Sequence, residues 1–222
     1  YFLPIKDMGL TDELYIKMNS RGKPLTMFEH FKAELEREIR SQNEEIANRV
    51  IAKIDREWTD LLWKYRDGGS GSSDDVITDD EFLRYFKFVC DIICYRNGES
   101  PQGKSNDEFD LLQRYFSAKN ADSLKNIETL EGFFDCWCNI PGYDNPTDFL
   151  ASFMSSTHAP GNILVENRYK IDIFEDCLHS YSDKTGRIRQ FPLNRIVLLY
   201  AIPIYLQNSY SISAEQFARR IR

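Results

Sequence analysis

The sequence predicts an all-α fold, an irregular multi-helix bundle opened by a short strand whose own sheet is absent from the chain. Three observations point there. After Ile5, every strongly periodic segment repeats its apolar residues at a spacing near 3.6, as a helix with one buried face does. Ser or Thr followed three residues later by Glu or Gln opens the runs at Thr26, Thr78 and Ser213, and such a pair satisfies free amides of a first helical turn. The composition can fill a core: 42% of the 222 residues are apolar and 14% aromatic, which excludes collagen-like and disordered chains. The longest stretch without a charged or strongly polar residue, Ile196 to Leu206, is eleven residues long and contains Pro203, whereas a bilayer span needs roughly 20. It reads as a buried helix, and no membrane anchor is expected.

Taken in order, Tyr1 to Ile5 favours extended structure and needs a partner strand that the chain does not supply. No cationic and apolar leader opens the sequence, which begins at Tyr1 and stops at Arg222 inside a helical pattern. It therefore reads as a piece of a longer polypeptide. Thr11 caps a short helix through Met18. Thr26 and Glu29 open another to about Arg40, buried along Phe28, Phe31, Leu35 and Ile39. A longer helix is expected over 43–66, with Ile46, Val50, Ile54, Trp58, Leu61 and Tyr65 on one stripe and Glu45, Arg49, Lys53, Arg56 and Asp60 elsewhere. Trp58 and Trp63 read as core or helix-packing residues. Residues 67–77, beginning DGGSGSSDD, form a flexible acidic loop. Thr78 and Glu81 start the next helix, with Arg84, Lys87 and Asp91 as its polar stripe and Phe82, Phe86, Val89 and Ile93 opposite. Helices follow at about 107–119 and 122–139, then a shorter one ending near Ser156, then two at about 166–181 and 191–207. Ser213 and Gln216 cap the last. No fixed-period repeat is present, so a solenoid is not expected.

Most familiar chemistry is excluded along the way. No Lys-Ser or Lys-Thr follows the Gly-rich loop, as a phosphate-binding P-loop requires. Asp74, Asp75, Asp79, Asp80 and Glu81 lack the spacing of a calcium loop and read as solvated carboxylates favoured by a helix N-terminus. Cys90, Cys94, Cys136, Cys138 and Cys177 are an odd set without a Cys-x-x-Cys pair, which fits free thiols in a reducing, cytoplasmic setting. Cys90 and Cys94 lie one helical turn apart, but no histidine stands at ligand spacing, so they read as core thiols and no metal ligand is assigned. His30, His158 and His179 are scattered, and no hydrolase triad emerges. Charge is uneven. From Ser182 onward Lys184, Arg187, Arg189, Arg195, Arg219, Arg220 and Arg222 face only Asp183 and Glu215, a balance of +5 on a chain of net charge −7. Arg187, Arg189 and Arg195 are accordingly the expected DNA contacts, with an acidic partner domain as the alternative.

One segment carries specific chemistry. In ELYIKMNSRGKPLTMFEHFKA a helix leads through Asn-Ser-Arg-Gly into a capped helix, so Gly22 can take positive φ and expose neighbouring amides beside Arg21 and Lys23. That arrangement suits an anion. It equally suits an ordinary corner in which Asn19 caps its own backbone, and both readings stand on the residues alone.

LYIKMNSRGKPLTMFEHFKAEL resembles the Asn-x-x-Gly segment of the GmrSD-type restriction endonuclease N-terminal domain family, whose members carry a ParB/sulfiredoxin-like fold and serve bacterial defence against modified phage DNA. The spacing is also similar to the ParB box, with Asn19, Leu25 and Glu29 at its Asn, Leu and Glu positions, while Gly22 and Met18 replace its Arg and Glu. The resemblance implies that residues 1–40 end a ParB-like module and that 41–222 form an α-helical domain. It implies that Asn19, Arg21 and Gly22 make a phosphate-facing loop completed by residues outside the chain. The family's Asp-Gly-Gln-Gln-Arg segment and the His-x-x-Pro element of a His-Me finger nuclease are both missing. No catalytic residue and no cofactor is therefore expected within these residues. Nucleoside triphosphate and a divalent metal would belong to the full-length protein, with flanking domains of the same polypeptide and DNA as partners. A helical protein-interaction module without enzymatic activity is the rival reading.

Overall fold

The computed structural model describes residues 26–66, 79–154, 172–182, 184–185, 188–189, 191–208 and 212–221. Of these, 74% are helical, so the chain is all-α. The expected strand at 1–5, the helix from Thr11 and the loop at 67–77 lie outside the described residues.

The first capping box forms as the sequence predicts. Thr26 Oγ1 accepts from the Glu29 amide at 3.2 Å, and the Glu29 carboxylate accepts from the Thr26 amide at 2.7 Å, opening α1 (Met27–Arg40). Phe31, Leu35 and Ile39 of α1 are fully buried. They enter the same core as α2 (Glu44–Lys53), α4 (Asp79–Arg96) and α5 (Glu108–Phe116), so no seam in the packing falls at residue 40.

The helix expected over 43–66 is interrupted. After α2, capped by Asn43 Oδ1 on the Ile46 amide at 3.0 Å, one π-helical turn runs over Ile54–Trp58 before α3 (Thr59–Trp63). Thr59 Oγ1 donates to the Ile54 carbonyl at 2.5 Å, bridging the widened turn. Ile54 and Trp58, at the two ends of this turn, are both buried in the core. Trp58 stacks on Phe134 at 4.4 Å and 15°. Trp63 departs from the expected packing role: half exposed, it carries the Arg66 guanidinium over its ring at 4.0 Å.

Helix α4 is the central element. It touches α1, α5, α6 (Ser123–Cys138) and α8 (Ile173–Ser180). Its supposed polar stripe therefore points into neighbours rather than solvent. The buried Asp91 accepts from the Tyr181 hydroxyl at 2.6 Å, Lys87 pairs with Glu108 at 2.8 Å, and Arg84 donates to the Leu178 carbonyl at 3.2 Å. Glu81, expected among solvated carboxylates, is 6% exposed. Asp74 and Asp75 are outside the described residues.

Helix α5 stops at Phe116, short of the predicted 119, because side chains from elsewhere take its last carbonyls. Gln42 and Ser123 donate to Phe116 and Asn126 donates to Tyr115, each at 2.7 to 2.9 Å. Helix α7 (Pro146–Met154) follows α6, and Asp172 caps α8 on the Phe174 and Glu175 amides. Two-residue strands β1 (Lys184–Thr185) and β2 (Ile188–Arg189) pair antiparallel, the sheet content of the described residues. Helix α9 (Leu193–Gln207) holds Pro203 internally, and α10 (Ala214–Ile221) opens with Ser213 and Gln216 capping one another at 3.2 Å. All five cysteines are free. No helix among the described residues is long and apolar enough to cross a membrane.

Candidate interaction surface

Asn19, Arg21, Gly22 and Arg187 lie outside the described residues. Arg189 is placed only as the backbone of β2, paired with Lys184. Arg195 sits in the first turn of α9 with its guanidinium 2.9 Å from Asp176 Oδ2, so one of the three expected DNA contacts already holds a carboxylate.

The densest charged cluster joins α2 to α6. Arg49 grips Glu131 through two nitrogens at 2.9 and 2.7 Å, Lys53 reaches Glu131 at 3.2 Å and Asp135 at 2.5 Å, and Trp58 Nε1 donates to Asp135 at 2.9 Å. Burial penalises the Glu131 carboxylate, yet the hydrogen bonds from Arg49 and Lys53 outweigh it and hold its pKa below the usual range. Every partner in the cluster is occupied by another. Its product is a clasp across the π turn, placing Trp58 on Phe134.

A second polar set lies between α4 and α8. Burial pushes the Glu81 carboxyl up, and one of its oxygens has no hydrogen-bond partner. His179 Nε2 lies 2.7 Å from the Tyr65 carbonyl oxygen, and Thr147 donates to Asp172 at 2.5 Å. These contacts tie the end of α3 to α7 and α8. Among the described residues no group of three His, Cys, Asp or Glu is arranged to hold a metal ion.

Among the described residues an apolar groove of about 550 Å³ lies between α9 and α10. Val197, Tyr200, Ala201 and Ile204 form one wall, Ile212 and Phe217 the other, and Arg220 stands at the rim. Tyr205 stacks on Phe217 at 4.2 Å and 8°, fixing α10 beside α9. Tyr200 lies over Phe133 at 6.1 Å, which seats α9 on α6. Where those helices cross, a Cβ on Gly132 would come within 3.1 Å of the Gln207 side-chain amide nitrogen. Across Tyr200 and Ile204 the groove continues into a smaller depression of about 370 Å³ that adds Arg96, Lys125 and Glu128.

The expected buried helix over Ile196–Leu206 is buried on one face only. Ile196, Leu199 and Ile202 do face the core, whereas Leu193, Val197 and Ile204 are 61%, 59% and 36% exposed. The signal lay in the spacing Leu193, Val197, Tyr200, Ile204, a 4-3-4 seam on the opposite face of the helix.

Compared with known protein families, characterised proteins and solved structures, the chain matches none.

Proposed function

We propose that the chain is the helical central region of a GmrSD-like, nucleotide-dependent defence nuclease acting on modified phage DNA, and that its own part is to couple modules rather than to cleave. The observation carrying this reading is the rooting of α1. The helix directly following the Asn-x-x-Gly segment is capped by Thr26 and Glu29 and anchored by Phe31, Leu35 and Ile39 in the bundle core. A displacement at the preceding loop would thereby be passed to the bundle as a rigid-body movement. Under this reading the nucleotide and metal ligands come from residues flanking the chain, and Asn19, Arg21 and Gly22 complete them. A cytoplasmic setting belongs to the same proposal, supported by the five free thiols.

Hydrolysis of nucleoside triphosphates by the 222-residue chain and by the full encoded polypeptide tests it. The chain alone is expected to be silent. Asn19→Ala or Gly22→Val in the full polypeptide should lower turnover at least about tenfold, roughly 1.4 kcal/mol in the barrier, with thermal stability unchanged. Turnover by the chain alone, or normal activity in both variants, overturns the reading. Any duplex DNA affinity should fall on reversing Arg187, Arg189 and Arg195 to Glu, and should fall with added salt.

The second reading, a helical interaction module belonging to no nuclease, is favoured by the apolar groove between α9 and α10. An Asp-Gly-Gln-Gln-Arg segment encoded upstream supports the first reading and its absence the second.

A further inference from the structure

We propose that the groove between α9 and α10 is the docking site for an amphipathic helix with acidic flanks, supplied by another polypeptide segment. The inference rests on the interaction role common to both functional readings and names the partner's chemistry.

The seam dictates the shape of the occupant. Leu193, Val197, Tyr200 and Ile204 alternate spacings of four and three along the exposed face of α9, the spacing at which one helix receives side chains of another. At about 1.5 Å per residue the stripe is roughly 16 Å long, which matches three turns of a partner helix. Helix α10 supplies the second wall through Phe217, so the site is a trough rather than a flat face.

The rims dictate the charge. Arg96 and Lys125 stand on one side and Arg220 on the other, against Glu128 alone. Among the described residues these three basic groups have no carboxylate within ion-pair distance. Lys32, Arg49, Lys53, Lys87 and Arg195 are each paired with one, and what sets the rim cations apart from other surface cations is that they border an apolar trough. On a chain of net charge −7, unpaired cations on both rims of an apolar trough complement a partner whose apolar stripe is bordered by Asp and Glu. Nucleic acid fits less well, because the floor is aliphatic and aromatic side chain rather than clustered Lys and Arg.

The test uses the intact 222-residue chain and three fluorescent probes: a 14-residue stapled helix with Leu at 4-3-4 spacing and Glu flanks, the same helix with Lys flanks, and a 20-base-pair DNA duplex. Anisotropy titration should show saturable binding of the Glu-flanked helix at least tenfold tighter than of the Lys-flanked one. Val197→Glu and Ile204→Glu should each weaken it at least tenfold. Lys125→Glu with Arg220→Glu should reverse the preference between the two helices. Val197 and Ile204 are exposed, and thermal melting confirms that the variants fold. Equal affinity for the two helices, binding of neither, or an unreversed preference overturns the proposal. So does duplex DNA that displaces the Glu-flanked helix, which makes the groove a nucleic-acid surface. A concentration-dependent dimer abolished by Val197→Glu in sedimentation would put a second copy in the groove and overturn it too. Nucleotide turnover by the chain would remove the nuclease-coupling reading and leave this result untouched.

Discussion

Helices α4 and α9 occupy opposite situations in one bundle. Helix α4 carries Glu81, Arg84, Lys87 and Asp91, yet it has neighbours around most of its circumference and buries nearly everything from Glu81 to Cys94. Helix α9 has Arg195 as its single charged residue and still presents Leu193, Val197 and Ile204 to solvent. A helix is buried by what surrounds it, and charges are admitted wherever the neighbours supply partners: Tyr181 for Asp91, Glu108 for Lys87, the Leu178 carbonyl for Arg84. Conversely, an apolar stripe without a neighbour marks a surface that another molecule can use.

The largest expected effect separates the two helices directly. Phe134 stacks on Trp58 and Phe82 and meets Tyr85 edge-on against α4, so Phe134→Ala should cost about 3–5 kcal/mol in urea unfolding. Val197→Ala, on the open face of α9, should stay within about 0.5 kcal/mol. Equal losses would break the comparison, since they would place both sites in one continuous core.

What was legible in the sequence divides along the same line. Local features were readable: Thr26 with Glu29 and Ser213 with Gln216 cap as written, because each device spans three residues and needs no other part of the chain. Features set by distant partners were not. The π turn at Ile54 accompanies a clasp to Glu131 and Asp135, about eighty residues away. The burial of Asp91 depends on Tyr181, ninety residues away. The Asn19 loop is outside the described residues, and the groove was masked by reading hydrophobicity as burial. Composition reports how much apolar surface a helix has, and only the contacts decide which part of it is covered.

Next in size is the cost of unpairing a charge inside α4. Asp91→Ala leaves the buried Tyr181 hydroxyl without its acceptor and should destabilise by about 1–3 kcal/mol. In Tyr181→Phe the same substitution should cost less, and the difference measures the coupling. Additive losses would mean that the contact contributes nothing and that α4 merely tolerates its charges.

Two carboxyls sharpen the comparison through pH. The Glu131 pKa is held below its ordinary value by Arg49 and Lys53, so its stabilisation is present above the unfolded pKa of about 4.3 and is lost as pH falls through the folded value. The Glu81 pKa is raised by burial, so its contribution is fully present below about 4.3 and is lost as pH rises through the folded value. Glu131→Gln should therefore lower the melting temperature at pH 7 and lose that effect towards pH 3. Glu81→Gln should raise it at pH 7 and lose the gain towards pH 4. Parallel curves for the two variants would show that partner supply does not govern these sites.

The smallest expected effect lies where α9 meets α6. Gly132 sits inside α6, where glycine costs roughly 0.5–1 kcal/mol relative to alanine through chain entropy. Against that gain, an alanine Cβ would meet Gln207 Nε2 at 3.1 Å, tighter than ordinary contact. The obstacle is the far end of a flexible side chain on an exposed residue, so it can swing into solvent without moving either backbone. Gly132→Ala should therefore stabilise by roughly 0.5 kcal/mol, read as a small rise in denaturation midpoint at constant m-value. If it instead destabilises by more than about 1 kcal/mol, the α6–α9 crossing is packed as rigidly as the α4 core. Helix α9 would then be locked on its inner side while remaining open on its outer one, and the contrast with α4 would narrow to the single face that carries Val197.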